Sequence, residues 1–277
     1  MSDLKLKSRK LATALRFNYH RLRHECANYS LLKSRWVDGQ IVSQHQSGTH
    51  WLKFMLANAL SNEHGLPSPR YNHANDFIGG PKDPVVYPNI PRIISSHSIP
   101  PIITPYLVKT GKIKLPKYVL LVRDIRASLV SNYRKWENRY KVSFSEFLRG
   151  DPSGRKYNSD LWWSIRFLNA WCRLSVIPGA RILIVHYETL VEDPGSHINE
   201  INDFLCLNLS RNAIEEGVRS ASKSAMKSRA DPGRPKGEVH ESEVNPLEWF
   251  GGADKAYFSN QCEIFLQCDF GYNYRQW

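Results

Sequence analysis

Apolar residues along the chain form short uninterrupted runs rather than strictly alternating ones. Strands that are apolar on both faces are typical of a parallel sheet covered by helices on each side. The runs that predict such strands are residues 40–43, 92–95, 118–122 and 181–185. Helical spacing of apolar residues predicts helices at 51–60, 126–136, 160–175, 196–206 and 255–266. The pattern therefore predicts a single α/β domain with a central parallel sheet flanked by helices.

The first predicted strand leads through a polar loop, residues 44–49, directly into a helix. Parallel sheets bind ligands beyond the carboxyl ends of their strands, and small residues before a helix let backbone N–H groups converge on an anion. The loop holds one glycine with no lysine after it, so it does not match the Walker A pattern G-x-x-x-x-G-K-S/T. We therefore expect a P-loop-like strand–loop–helix nucleotide site that is not a standard P-loop.

Residues 1–36 carry both a basic charge and an apolar stripe. Nine Lys or Arg residues stand against two acidic ones in this segment. Helical spacing predicts an amphipathic helix, and the remaining residues, 37–277, form the α/β domain. The apolar stripe of the helix either packs on that domain, which is the more common case, or lies on an anionic membrane or a partner surface. The stripe consists of Leu11, Leu15, Tyr19, Leu22, Cys26 and Tyr29.

Composition limits the partners and the compartment. The formal net charge of +12 implies an anionic partner: a membrane surface, a nucleotide or glycan, or nucleic acid, of which the last is not expected. The five cysteines are scattered and form no metal-ligand pattern, which predicts a reducing compartment and no structural metal. Without a long apolar span or a signal-peptide pattern, a soluble cytoplasmic protein is expected, with peripheral membrane association as an addition. The oligomeric state is open.

Residues 47–52, Ser-Gly-Thr-His-Trp-Leu, resemble the 5′-phosphosulfate loop P-K-S-G-T-T/H-W-L/V of sulfotransferases that use 3′-phosphoadenosine 5′-phosphosulfate (PAPS). The resemblance implies that PAPS is the sulfuryl donor, that no metal is required and that Trp51 packs on the nucleotide base. It also implies a phosphosulfate site. The residues assigned to that site are His45, Ser47, Gly48, Thr49 and His50.

Two further segments follow in the order that the family has. Residues 122–133 resemble its 3′-phosphate motif, which implies that Arg123 and Ser131 hold that phosphate. Guanidinium and hydroxyl groups are suitable donors to phosphate oxygens. Residues 92–100 resemble its strand ending in K-T-H-L/I-P, which implies that His97 is the general base that deprotonates the acceptor hydroxyl.

The resemblance continues toward the C-terminal half. Residues 185–194 are similar to the family segment Y-E-D-L-x-x-D/N-P, which implies that Tyr187 lies by the adenine. Residues 222–227 and 234–237 match more loosely a serine-containing segment and the R-K-G that closes over the 3′-phosphate. These two matches add Ser222, Arg234, Lys236 and Gly237 to the cofactor site.

This sequence departs from the family pattern where two lysines are expected. Gln46 replaces the loop lysine that stabilises the leaving oxygen, and Ser95 replaces the lysine two positions before His97. A neutral amide gives a weaker hydrogen bond than a cation does, so we expect lower turnover or compensation by another cation. The candidates for that cation are His45, Arg126 and Lys82. A catalytically weak PAPS-binding protein and, with less support, a divergent P-loop kinase stay as alternatives.

The acceptor is expected to be a hydroxyl-bearing lipid, glycan or small alcohol or phenol. Its recognition is assigned to residues 62–91, 137–163 and 238–258, which lie around the cofactor motifs. Residues 62–91 are rich in Pro, Gly and Asn without periodicity, so no strand or helix is predicted there. The aromatic residues of these segments either stack on the acceptor or belong to the core.

Overall fold

The computed structural model describes residues 3–26, 36–153, 156–157, 159–233 and 245–277. Five parallel strands form one sheet in the order β2-β3-β1-β4-β5. The strands are β1 Gly39–Ser43, β2 Ile78–Gly79, β3 Ile93–Ser96, β4 Lys117–Val122 and β5 Ile182–His186. The predicted fold class, a parallel sheet flanked by helices in one domain, is confirmed. The division at residue 36 stays a prediction.

Eleven helices surround the sheet within the described residues. They are α1 Asp3–Cys26, α2 Thr49–Glu63, α3 Thr104–Lys109, α4 Ile125–Tyr140, α5 Phe144–Arg149, α6 Leu161–Ser175, α7 Tyr187–Glu192, α8 Pro194–Leu205, α9 Arg211–Arg219, α10 Lys223–Ser228 and α11 Gly252–Phe265. One 3-10 turn covers Pro246–Trp249. None of these helices is both long and apolar enough to cross a bilayer.

Both faces of the central strands are buried, which explains the uninterrupted apolar runs. Ile41 and Val119 point into one core, which contains residues of α2, α8 and α9. Their neighbours Val42 and Leu120 point into the other core, which contains residues of α4, α5, α6 and α11. Because successive side chains of a strand alternate between faces, two cores require apolar residues at every position.

The prediction that residues 62–91 hold no regular structure is wrong at one point, because β2 lies there. β2 has only two residues and pairs with β3 through Ile78 opposite Ile93. A strand of this length, ending in glycine, leaves no periodic signal. The short helix α10 lies outside the five segments for which the spacing predicts a helix.

The apolar stripe of α1 faces outward, so the expectation that it packs on the domain is wrong for its described members. Leu11, Leu15, Tyr19 and Leu22 are between 46% and 64% exposed. The opposite face packs instead: the Phe17 ring centroid lies 5.6 Å from that of Trp162 and 5.2 Å from that of Phe265. Glu25 is buried and accepts a hydrogen bond from Arg173 at 3.1 Å. Tyr29 lies outside the described residues.

The aromatic segment Phe270–Trp277 binds the beginning of α4. The Tyr274 hydroxyl accepts a hydrogen bond from the Ile125 N–H at 3.3 Å. The Tyr272 hydroxyl donates to Glu188, which also accepts from the Asp124 N–H at 3.2 Å. These contacts hold together the carboxyl ends of β4 and β5, where the sequence predicts the 3′-phosphate and adenine sites.

Candidate functional site

The loop between β1 and α2 forms a strand–loop–helix turn in which the start of the helix is uncapped. Ser43, at the end of β1, and Thr49, the first residue of α2, are joined by a 2.6 Å hydrogen bond between their hydroxyls. The Ser47 hydroxyl donates to the Gln44 carbonyl at 2.7 Å, which closes the loop. No side chain caps α2 and no acidic residue lies in its first turn. The first N–H groups and the positive end of this helix are therefore available to an anion.

Gly48 occupies a position that other residues cannot fill without strain. Its φ of 85° lies in the left-handed region. A Cβ added there would lie 2.5 Å from Tyr187 Cε2, because the tyrosine ring packs directly on the glycine. The predicted phosphosulfate loop and the predicted adenine residue therefore touch.

Arg123 connects the loop with the 3′-phosphate motif and with Tyr187. Its backbone N–H donates to the Gln44 side-chain oxygen at 2.9 Å, and its guanidinium donates to the Gln46 carbonyl at 2.7 Å. The same guanidinium lies 4.3 Å from the Tyr187 ring centroid, in cation–π contact. Ser131 lies half-buried on α4, two helical turns beyond Arg123. Its predicted share in a phosphate site with Arg123 stays a prediction.

His97 follows β3 and is hydrogen bonded to the neighbouring strand β1. Its Nδ1 lies 2.8 Å from the Ser43 carbonyl oxygen. A carbonyl can only accept, so Nδ1 carries the proton and Nε2 keeps its lone pair. The side chain is exposed, while the surrounding protein desolvates the ring and lowers its pKa below 6.5. At neutral pH His97 is therefore a neutral base.

Two more histidines, His45 and His50, interact with His97. The His45 ring stacks on His97 with centroids 3.9 Å apart, and it contacts Trp163 edge-on at 4.7 Å. Desolvation, and after it the charge of a protonated His97, lowers the pKa of His45 to about 3. Desolvation, then Lys53, lowers the pKa of His50 to about 3. Both rings are neutral at pH 7, so His45 does not supply the compensating positive charge for which it was a candidate.

Two lysines that the sequence did not single out act electrostatically on these histidines. Lys53 and Lys135 each lower the pKa of His97 and of His50 through their positive charge. Lys53 is buried on α2 and its Nζ donates to Asn75 Oδ1 at 2.7 Å. Lys135 lies on α4, four residues after Ser131 and therefore on the same side of that helix. The spacing from Ser131 was the available sequence signal for Lys135.

The other two candidates for the compensating positive charge are Arg126 and Lys82. Arg126 forms an ion pair with Asp124 at 2.6 Å and donates to the Gln276 carbonyl at 2.5 Å. Its guanidinium therefore binds Asp124 and the C-terminal segment. Lys82 is exposed on the loop after β2.

The remaining predicted cofactor residues are Trp51 on α2, Ser222 before α10, and three residues outside the described ranges. The Trp51 indole N–H donates to the Ala221 carbonyl at 2.9 Å, which brings Trp51 next to Ser222. Ser222 caps α10 by accepting a hydrogen bond from the Ala225 N–H at 3.3 Å. Arg234, Lys236 and Gly237 lie outside the described residues.

The aromatic residues expected at the acceptor site divide into two groups. Trp163 contacts His45 edge-on, whereas its neighbour Trp162 is buried and its indole N–H donates to the Arg149 carbonyl at 2.9 Å. Within the described residues, no group of three His, Cys, Asp or Glu side chains is arranged to hold a metal ion.

The sheet, the uncapped loop and the neutral histidine beside it define a P-loop-like α/β protein. The family model of the sulfotransferase domain matches residues 38–244, and the chain therefore belongs to the sulfotransferase domain family. Sulfuryl transfer is thus its general activity, and the predicted family is confirmed. None of the curated proteins matches the sequence.

Solved structures share this fold at low sequence identity. Retinol dehydratase in complex with androsterone and the inactive cofactor PAP is 18% identical, with a TM-score of 0.57, and the match covers 85% of this chain and 82% of that one. Mouse sulfotransferase SULT7A1 complexed with PAP is also 18% identical with a TM-score of 0.57, covering 87% and 88%. At this identity the likeness shows the shared fold.

Proposed function

We propose that this chain transfers the sulfuryl group of PAPS to the hydroxyl group of an acceptor, with His97 as the general base. The observation that carries the proposal is the 2.8 Å hydrogen bond from His97 Nδ1 to the Ser43 carbonyl. It fixes the tautomer that leaves Nε2 as a proton acceptor, and it ties the base to the residue directly before the anion-binding loop.

The donor would be held by the three segments that meet around Gly48. Its 5′-phosphosulfate fits the uncapped start of α2 with Ser47, and its 3′-phosphate fits Arg123, which already contacts both the loop and Tyr187. Retinol dehydratase and the mouse sulfotransferase are each described as complexes with PAP. PAP is what PAPS leaves after losing its sulfuryl group, which supports PAPS as the donor.

The reaction is an in-line displacement at sulfur. The acceptor oxygen forms a bond to sulfur while the bond from sulfur to the oxygen of the 5′-phosphate breaks. The acceptor proton moves to His97 Nε2, and the electron pair of the broken bond stays on the 5′-phosphate. The protein contributes by positioning the two substrates and by directing donors at the leaving oxygen.

Lys53 would supply the positive charge that the family places on its lysines. Its Nζ is bound to Asn75, which packs against Gly79, and the Gly79 carbonyl accepts a hydrogen bond from Ser95 at 3.5 Å. Lys53 therefore belongs to the contact network around Ser95, where the family lysine is missing. A buried cation acts strongly on a charge that develops nearby, since little water screens it.

The acceptor is best matched by an alcohol on an apolar ring or chain. Trp163 offers an aromatic surface beside the stacked rings of His45 and His97. Retinol dehydratase is described with androsterone and with retinol, both hydroxyl-bearing apolar molecules. Aromatic side chains next to a few polar groups are typical of sites for such ligands.

The first experiment measures thermal stabilisation by PAP beside ADP, each with and without Mg²⁺. At roughly a hundredfold excess over Kd, PAP should raise Tm by about 5 °C. Arg123→Ala should abolish the shift, whereas Arg211→Ala, at an exposed ion pair with Glu215, should preserve it. Equal stabilisation by ADP, or a requirement for Mg²⁺, would favour the kinase alternative instead.

The second experiment follows transfer of labelled sulfate from PAPS to a panel of sterols, long-chain alcohols, phenols and glycans. His97→Gln should lower the rate by about 10²–10⁴-fold while PAP stabilisation persists, since removing a general base leaves cofactor binding intact. His64→Gln is the matched control, because His64 is exposed at the end of α2. PAP binding without transfer to any acceptor would identify a PAPS-binding protein rather than an active enzyme.

A further inference from the structure

Helix α1 presents a continuous apolar face to the outside of the molecule. Leu11 is 63% exposed, Leu15 64%, Tyr19 60% and Leu22 46%. At 3.6 residues per turn these four side chains lie within an arc of about 80°. A monomeric protein surface rarely keeps such a row of large apolar residues without a partner.

Contacts on the other sides of the helix, opposite the stripe at Phe17 and beside it at Glu25, fix this orientation. Phe17 is buried against Trp162 and Phe265, and Glu25 is bound to Arg173 at 3.1 Å. The helix is thus held at one side by aromatic packing and at its last turn by a buried ion pair. Rotating the stripe inward would break both sets of contacts.

The charge of α1 selects the kind of partner. The helix contains seven Lys or Arg residues and only two acidic ones, Asp3 and Glu25, of which Glu25 is turned inward toward Arg173. Arg16 and Arg23 are exposed and lie next to the stripe, about 80–100° around the helix from Leu15. A second copy of the chain would set basic residues against basic residues, which opposes association.

We propose that α1 docks this protein on an anionic lipid surface, with the helix lying in the plane of the interface. The four apolar side chains enter the boundary between headgroups and acyl chains, and the flanking arginines contact anionic headgroups. On the function proposed above, the membrane also lies near the acceptor, because α1 packs on Trp162 and the next residue, Trp163, contacts His45.

The test is co-sedimentation of the full chain with vesicles of phosphatidylcholine alone or with an equal amount of phosphatidylserine. We expect binding to the anionic vesicles only, weakening as salt rises because the charges are screened. The double variant Leu11→Ser with Leu15→Ser should bind at least about tenfold more weakly, and Arg16→Gln with Arg23→Gln should lower the preference for anionic vesicles.

A matched control removes exposed apolar residues elsewhere on the surface. Val176→Ser with Ile264→Ser changes side chains that are 73% and 44% exposed and lie outside α1, so vesicle binding should match the wild type. Unchanged Tm in all variants shows that the fold is intact. The proposal is overturned if neutral and anionic vesicles bind equally, if the leucine variant binds like the wild type, or if that variant abolishes a dimer seen by sedimentation.

Discussion

Gly48 gives the sharpest quantitative test of the loop, because two separate penalties act on one added methyl group. Gly48→Ala must adopt φ 85°, which costs an L-residue about 1–2 kcal/mol. The new Cβ also meets Tyr187 Cε2 at 2.5 Å, so the ring must move and disturb its 4.3 Å contact with Arg123. Overpacking of this kind costs a further ~1–3 kcal/mol. The free energy of unfolding should therefore fall by about 2–5 kcal/mol.

Gly65 separates the two penalties. It has φ 61° and no atom within 4 Å of an added Cβ, so Gly65→Ala carries the backbone penalty alone, about 1–2 kcal/mol. Urea unfolding at 25 °C measures both variants, and PAP should stabilise Gly65→Ala but not Gly48→Ala. Adding Tyr187→Ala to Gly48→Ala should remove the steric part of the loss. If Gly48→Ala costs no more than Gly65→Ala, the described packing of Tyr187 on the loop is wrong.

Three further outcomes are expected. The kcat/KM for sulfuryl transfer should fall on the acid side with a midpoint below pH 6.5, because the lowered pKa of His97 keeps it neutral to lower pH; a midpoint above 6.5 contradicts that environment. Gln46→Lys should raise kcat about fivefold. The increase should be larger in a Lys53→Met background if both positions stabilise the same developing charge, and an equal increase in both backgrounds would refute this. Tyr274→Phe should lower the free energy of unfolding by about 1–3 kcal/mol in urea titrations, because the Ile125 N–H loses its acceptor; no change would show that this bond is not formed.

The central strands and the anion loop were accessible from sequence because their signals are local. Ile41 and Val42 enter opposite cores, and this double burial is what an uninterrupted apolar run records. β2 escaped prediction because two residues carry no period, and its place in the sheet depends on pairing with Ile93. Parallel pairing of this kind is a tertiary contact that no short window contains.

The α1 stripe and Lys53 show a different limit. Periodicity locates an apolar face but does not say what covers it; in α1 the buried side was decided by Phe17 and by the Glu25 pair with Arg173. Lys53 stands within an apolar helical run, and its burial depends on the Asn75 side chain 22 residues later. The sequence identified the missing lysines of the family pattern, while Lys53, the cation that lowers the pKa of His97, was found only from the three-dimensional arrangement.

The bonds from Phe270–Trp277 to the start of α4 also impose an order on biosynthesis. Ile125 and Arg126 receive their partners Tyr274 and Gln276 from positions 149 and 150 residues later in the chain. At ~5–20 residues per second, a ribosome needs roughly 8–30 s to cover that interval. During this time β4 and β5 can already pair, but the start of α4 lacks its contacts with Tyr274 and Gln276. A nascent chain should therefore acquire PAP affinity in one late step, when residues 270–277 leave the exit tunnel, rather than gradually as the strands emerge.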